Sequence, residues 1–353
     1  MLSSRILLLL SLTPWYLSLM AAQRPRFMVT LGKPSFHVEI GGVPLEPFGA
    51  VTDALFVPGG VAVLDLRRAG IHLLTDRGKT LSTFGRMGSG PGEMREAVSM
   101  RLIDDKTLML LDRALQRITF YDLGKDKIAY RKTLTLEESS TEDACFVQGR
   151  PIVYGYSAVS NKILHFVDAG GRKTDGWGDT LFAGGPYANS VATSGRILCL
   201  QDPQIILVAP YLKGEIRAYS QTGALLWTSV LADYVAVLVK VLPPRGGRSG
   251  VLLGKPPGHT KTNKTIGIHR LSRTLLLVQT ALTSKEHPGS DFNFEFVESR
   301  ILRLSDGREI GRTRDLPVIL AIEGSRMLVA GGEPDLWVES RSFTVADSSD
   351  RPN

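Results

Sequence analysis

Short apolar runs separated by turns of Gly, Asp, Pro and Ser follow one another along most of this chain. Residues 54–57, 61–65, 71–74 and 81–84 form one such group, with Pro58-Gly59-Gly60 and Asp76-Arg77-Gly78-Lys79 between runs. Runs this short, bounded by residues that tolerate left-handed backbone, predict strands joined by tight hairpins. The phrase then repeats. Asp76, Asp122 and Asp168 are spaced 46 residues apart, each in a turn bearing Gly and each just after a run containing Ile71, Ile118 or Ile163. Looser copies occupy 216–223 and 300–307. A period near 45 carried by four strands predicts an all-β propeller, one repeat per blade.

Counting groups gives the architecture. Further groups of runs start near residues 100, 144, 196 and 266. The last segment, 317–345, holds only three runs, whereas 27–40 precedes the first group and has no group of its own. Joining the two chain ends in one sheet completes a six-bladed β-propeller and removes the open edges. A seventh blade within 231–259 is the structural alternative, although Pro243-Pro244 and Gly246-Gly247 leave little room for four strands there.

The first 22 residues have a different pattern. Arg5 precedes an apolar run over 6–20, and Ala21-Ala22 supply small residues for cleavage. This predicts a secretory signal peptide and a periplasmic or extracellular protein, with an uncleaved anchor helix as the alternative. The propeller then spans 27–346, with a basic Gly/Pro-rich insertion at about 243–259 and a disordered tail at 347–353. Of two cysteines, Cys145 and Cys199 open equivalent strands of consecutive blades, so they are expected to lie too far apart to pair.

Hydrophobic residues make up 43% of the chain, ample for packed blades. The net charge of +7 is local in origin. Lys240, Arg245, Arg248, Lys255, Lys261, Lys264, Arg270 and Arg273 lie in a stretch with no acidic residue. The remainder is therefore close to neutral, which gives no argument for nucleic-acid binding.

Leu111-Asp112 followed by Arg117-Ile118-Thr119-Phe120-Tyr121-Asp122-Leu123-Gly124 resembles an NHL repeat, the unit of a family of six-bladed propellers. Val63-Leu64-Asp65 with Asp76-Arg77-Gly78-Lys79 matches it too, with Gly70 where the family favours a basic residue. The stretch from Phe84 to Glu93 looks like the inter-blade connector of exported bacterial six-bladed propellers. The resemblance implies a binding platform more often than an enzyme, and a structural role for Asp112 and Arg117 in holding a loop.

The chemistry-bearing candidates are sparse. The Gly85–Gly92 run lacks the Lys-Ser/Thr pair and following helix of a phosphate cradle, so it is expected to be a connector. No histidine spacing suggests zinc, and no nucleophile elbow is present. Asp53, Glu96, Asp143, Asn189, Asn263 and Asp315 each lead into an innermost strand and would ring one mouth of the channel. Oxygen ligands there, with Asp53, Asp143 and Asp315 foremost, would suit Ca²⁺; the alternative is solvated loop ends. Loops opening on the same face carry Arg67, Arg68, Arg113, Asn161, Lys162, Tyr211, Lys213, Glu333 and Asp335. Of these, Arg67, Arg68, Arg113, Lys162, Tyr211 and Lys213 are the ligand-binding candidates. Arg245, Arg248, Lys255, Lys261 and Lys264 are candidates for docking on anionic lipid or polysaccharide.

These observations favour an exported, non-catalytic platform that would bind a protein, peptide or polysaccharide through its loop face, with no cofactor, as a monomer. The alternative is a metal-dependent hydrolase or lactonase with Ca or Zn at the channel mouth. A scaffold within a larger envelope assembly is a third reading.

Overall fold

The computed structural model describes residues 27–40, 51–137, 140–182, 185–245, 248–283, 296–332 and 336–347. The expected leader, the 284–294 hairpin arm, Glu333, Asp335 and residues 348–353 of the tail lie outside them.

Strand β1 (Phe27–Ile40) comes first. Blade 1 follows as β2 (Val51–Val57), β3 (Gly60–Asp65), β4 (Gly70–Thr75) and β5 (Thr80–Phe84). Blade 2 is β6 (Ala97–Asp104), β7 (Thr107–Asp112), β8 (Arg117–Leu123) and β9 (Ile128–Thr135). Blade 3 is β10 (Asp143–Val147), β11 (Arg150–Ser157), β12 (Lys162–Val167) and β13 (Lys173–Asp179). A short helix, α1 (Pro186–Ala192), leads to blade 4: β14 (Gly195–Gln201), β15 (Gln204–Pro210), β16 (Glu215–Ser220) and β17 (Leu225–Val230). A separate hairpin, β18 (Leu238–Arg245) and β19 (Arg248–Gly254), stands before blade 5. That blade is β20 (Thr262–Arg270), β21 (Leu275–Thr283), β22 (Phe296–Arg303) and β23 (Glu309–Thr313). Blade 6 is β24 (Val318–Glu323), β25 (Arg326–Gly332) and β26 (Leu336–Asp347), completed by β1 in antiparallel register from Phe27↔Asp347 to Ile40↔Leu336.

The innermost strands close a ring: β2 touches β6, then β10, β14, β20 and β24 follow in turn, and β24 returns to β2. Six apolar clusters fill the interfaces between successive blades. Both faces of a blade are covered, so middle strands such as β3 and β7 are buried at every position and read as unbroken apolar runs. Outer strands such as β5 meet solvent and alternate weakly.

Asp112 and Arg117 hold loop backbone. The buried Asp112 carboxylate accepts the N–H groups of Arg95 (2.7 Å), Glu96 (3.2 Å) and Leu115 (3.0 Å). Arg117 donates to the carbonyls of Ser89 (2.9 Å), Gly90 (3.1 Å) and Glu93 (2.5 Å), pinning the glycine-rich connector between blades 1 and 2. Asp65 repeats part of this role by accepting from Arg68 N at 3.2 Å.

One expectation is corrected. Cys145 and Cys199 form a disulfide with Cα atoms 6.1 Å apart. Inner strands β10 and β14 converge toward the axis, where neighbouring blades are nearest. The bridge closes 54 residues of chain, so its reduction is expected to cost up to about 4 kcal/mol by loop entropy. Melting temperatures with and without dithiothreitol would check this; equal values would show that the bridge contributes nothing. Most of the stretch expected as an insertion at about 243–259 lies in the separate β18–β19 hairpin, between blades 4 and 5. Pro243 and Pro244 fit because its ladder shifts between Leu242/Gly250 and Arg245/Arg248.

Candidate functional site

The central channel opens at one end into a cavity of about 950 Å³, walled by inner strands from several blades and by α1 and the hairpin. Arg113 and Tyr211 reach it from the loop-face candidates, and Lys264 from the basic stretch. The others are placed differently. Arg67 and Arg68 are exposed on the loop beside the lining residue Leu66. Lys162 pairs with Asp179 at 2.9 Å and lines a groove formed with Trp177 and Tyr219 of blades 3 and 4. Lys213 lies 3.8 Å from Glu215. Asn161 adopts φ +56°, a turn conformation Asn tolerates well. In the basic stretch, backbone register puts Arg245 opposite Arg248 at the hairpin end, while Lys255 and Lys261 are partly exposed.

The proposed metal ring does not assemble. Arg101 lies between two of its carboxylates, donating to Asp53 at 3.0 Å and to both oxygens of Asp143 at 2.9 and 3.0 Å. Asp53 also accepts from Met100 N at 2.8 Å, and Asp143 from Ile197 N at 3.0 Å. Each carboxylate thereby clamps its own blade to the next, and Gln279 does the same by accepting from Ile319 N at 2.7 Å. Burial pushes the Asp53 carboxyl above its ordinary range, against the opposing pull of Arg101 and Arg196. Asp315 is exposed and bonded to Thr313 at 3.0 Å. Asn189 sits in α1, where its side chain accepts from Phe182 N at 3.1 Å, and Asn263 accepts from Val235 N at 2.8 Å. Ca²⁺ at Asp53 and Asp143 would have to displace a guanidinium. Among the described residues, no group of three or more His, Cys, Asp and Glu side chains is placed to hold a metal.

Arg113 bridges Glu96 and Glu142, the latter at 3.1 Å. Arg196 donates to Val98 O at 3.0 Å and lies within electrostatic reach of Asp53, Asp143 and Glu142, and the Lys264 ammonium lies 4.7 Å from the Tyr211 ring centre. Tyr211 is held by its own carbonyl, which accepts from Tyr234 Oη at 2.7 Å. Burial, reinforced by the nearby Arg196 and Arg113, lowers the Lys264 pKa to about 8. Burial likewise lowers that of His269 to about 4, leaving a neutral ring in the cavity wall. Arg101, Arg196 and Glu142 were not among the sequence candidates. The available signal was an arginine inside an apolar innermost run, as in Met100-Arg101-Leu102 and Arg196-Ile197-Leu198.

With this geometry in place, the chain is similar in fold to several solved structures. A protein of Bacteroides fragilis carrying an exported-protein designation superposes with a TM-score of 0.53 at 10% identity, over 91% of this chain and 95% of its own. A member of the DUF4221 family from Bacteroides vulgatus gives 0.58 at 7%, over 92% and 100%. The PQQ-bound aldose sugar dehydrogenase of Streptomyces coelicolor gives 0.51 at 12%, over 92% and 100%. At these identities the likeness is one of fold. No family model and no curated protein matches the sequence, so the NHL resemblance stands on the quoted motifs alone. No helix among the described residues is long and apolar enough to cross a membrane.

Proposed function

We propose that this is an exported binding platform whose loop face takes an acidic peptide segment of a protein partner at the channel mouth, without chemistry of its own. The observation that carries the reading is the convergence of Arg113, Arg196, Lys264 and Tyr211 on one cavity. Arg113 is already bridged by two carboxylates. Arg196 and Lys264 repel each other, and an incoming carboxylate would add to the attraction that Asp53, Asp143 and Glu142 already exert on Arg196. The apolar walls, including Val98, Leu198 and Ile266, suit the side chains that flank such a carboxylate. Export is supported by the leader pattern of residues 1–22, with which the designation of the Bacteroides fragilis neighbour agrees. The metal-dependent alternative is less favoured, because Arg101 occupies the space between Asp53 and Asp143.

Panning a random displayed-peptide library against the protein tests this. The selected peptides should be rich in Asp and Glu, and Lys264→Met should weaken them about tenfold or more. Lys264→Arg should restore much of the loss. Affinity should also fall as pH rises through about 8, where Lys264 loses the proton that attracts the anion. Selected peptides with no acidic excess, or full affinity in Lys264→Met, would overturn the reading.

A further inference from the structure

The β18–β19 hairpin belongs to no blade. Cross-strand register sorts its side chains onto two faces, because directly opposed residues in an antiparallel pair share a face. Val239 pairs with Leu253 and Val241 with Val251, and this face includes Leu253 of the cavity wall. Both strands also touch α1. The other face carries Leu238, Lys240, Leu242 and Leu252, with Lys240 directly opposite Leu252. Its leucines are 46%, 38% and 53% exposed. Three exposed leucines on one face of a strand pair form an apolar patch of the kind that marks an interaction surface.

Charge is arranged around that face with one sign. Between Val237 and Thr262 the chain has five basic residues and no acidic one. Lys240 lies within the face, Arg245 and Arg248 oppose each other at the hairpin end, and Lys255 and Lys261 follow β19. Cations alone would suit any polyanion. Cations interleaved with exposed leucines suit a surface with anionic headgroups above an apolar interior.

We propose that this hairpin is a docking element for an anionic lipid bilayer, with Leu238, Leu242 and Leu252 entering the headgroup boundary and the surrounding cations contacting lipid phosphates. The opposite face of the same hairpin borders the cavity, so docking would hold the channel mouth beside the membrane. The proposal does not depend on what the cavity binds.

Co-sedimentation of the full chain with vesicles tests it, using phosphatidylcholine with and without about one third phosphatidylglycerol. Binding should require the anionic lipid and fall with added salt. Lys240→Glu with Lys255→Glu should weaken it about tenfold or more, and Leu238→Asn with Leu252→Asn should do likewise. Every variant carries the same apolar run at 6–20, so the part of sedimentation that depends on the anionic lipid is the readout. Melting curves of these surface variants should match the parent, and Lys264→Met should bind vesicles normally. Equal sedimentation of parent and leucine variants would overturn the proposal. So would retention on dextran sulfate without vesicle binding, which would assign the cations to a polysaccharide.

Discussion

Replacing Arg101 with Met is expected to cost about 3–5 kcal/mol of folding stability, read as a large drop in the urea midpoint. The guanidinium is the shared partner of Asp53 and Asp143, and the Asp143 side chain is wholly shielded from solvent. Removing it leaves two carboxylates facing one another in the ring of inner strands. The backbone N–H groups of Met100 and Ile197 still bond them, yet of the two nearby guanidinium groups only Arg196 then remains to offset their burial. The pH dependence gives a second readout. Asp53 already has a raised folded pKa, so its stability contribution is full below its ordinary 3.8 and is lost as pH rises through the folded value. Without Arg101 that value rises further, and the deficit of the variant should narrow as the solution is acidified. Adding Asp143→Asn should recover part of the loss by removing one stranded charge. A midpoint within error of the parent would show that the cation is not required between these blades.

The same arginine shows why the fold was more legible than the site. Strand position and blade number follow from apolar runs and Gly-bearing turns, which are local signals, and burial on both faces makes the middle runs continuous. Closure by β1 followed from counting strands in the last group. The site depends on which inner-strand side chains meet across the axis, and that is a non-local matter. Asp53 and Asp143 have the same Asp-Ala opening, two repeats apart, but the sequence does not say that Arg101 spans them. The cysteine pair was misjudged for a related reason, because blade spacing shrinks toward the axis. Helix α1 was missed because seven residues, Pro-Tyr-Ala-Asn-Ser-Val-Ala, are too few to show a helical period. Pro243-Pro244 and Gly246-Gly247 left little room for four strands, and the described residues of the segment form a two-stranded, shifted ladder and no seventh blade.

A chain beginning at residue 41 is expected to lose cooperative folding altogether. Strand β1 is the outer strand of blade 6, and its removal bares the edge of β26 along the whole register. It also opens two blade interfaces. Phe36 belongs to the apolar cluster between blades 6 and 1 and packs against the turn at Gly78, where an added Cβ would meet the Phe36 ring at 3.1 Å. Val29 belongs to the cluster between blades 5 and 6. A buried Phe alone is worth about 3–5 kcal/mol against Ala, a large part of the 5–15 kcal/mol that holds a typical domain together. Phe36→Ala should therefore lower the melting temperature by several degrees while keeping a single transition. The truncated chain should instead show no sharp transition and should aggregate through β26. A synthetic peptide of residues 27–40 should restore a cooperative transition whose midpoint rises with peptide concentration, as mass action requires when only the folded ring binds it. If the truncated chain melts within about 5 °C of the parent and ignores the peptide, then the ring is held by its inner strands and not by the joining of the chain ends.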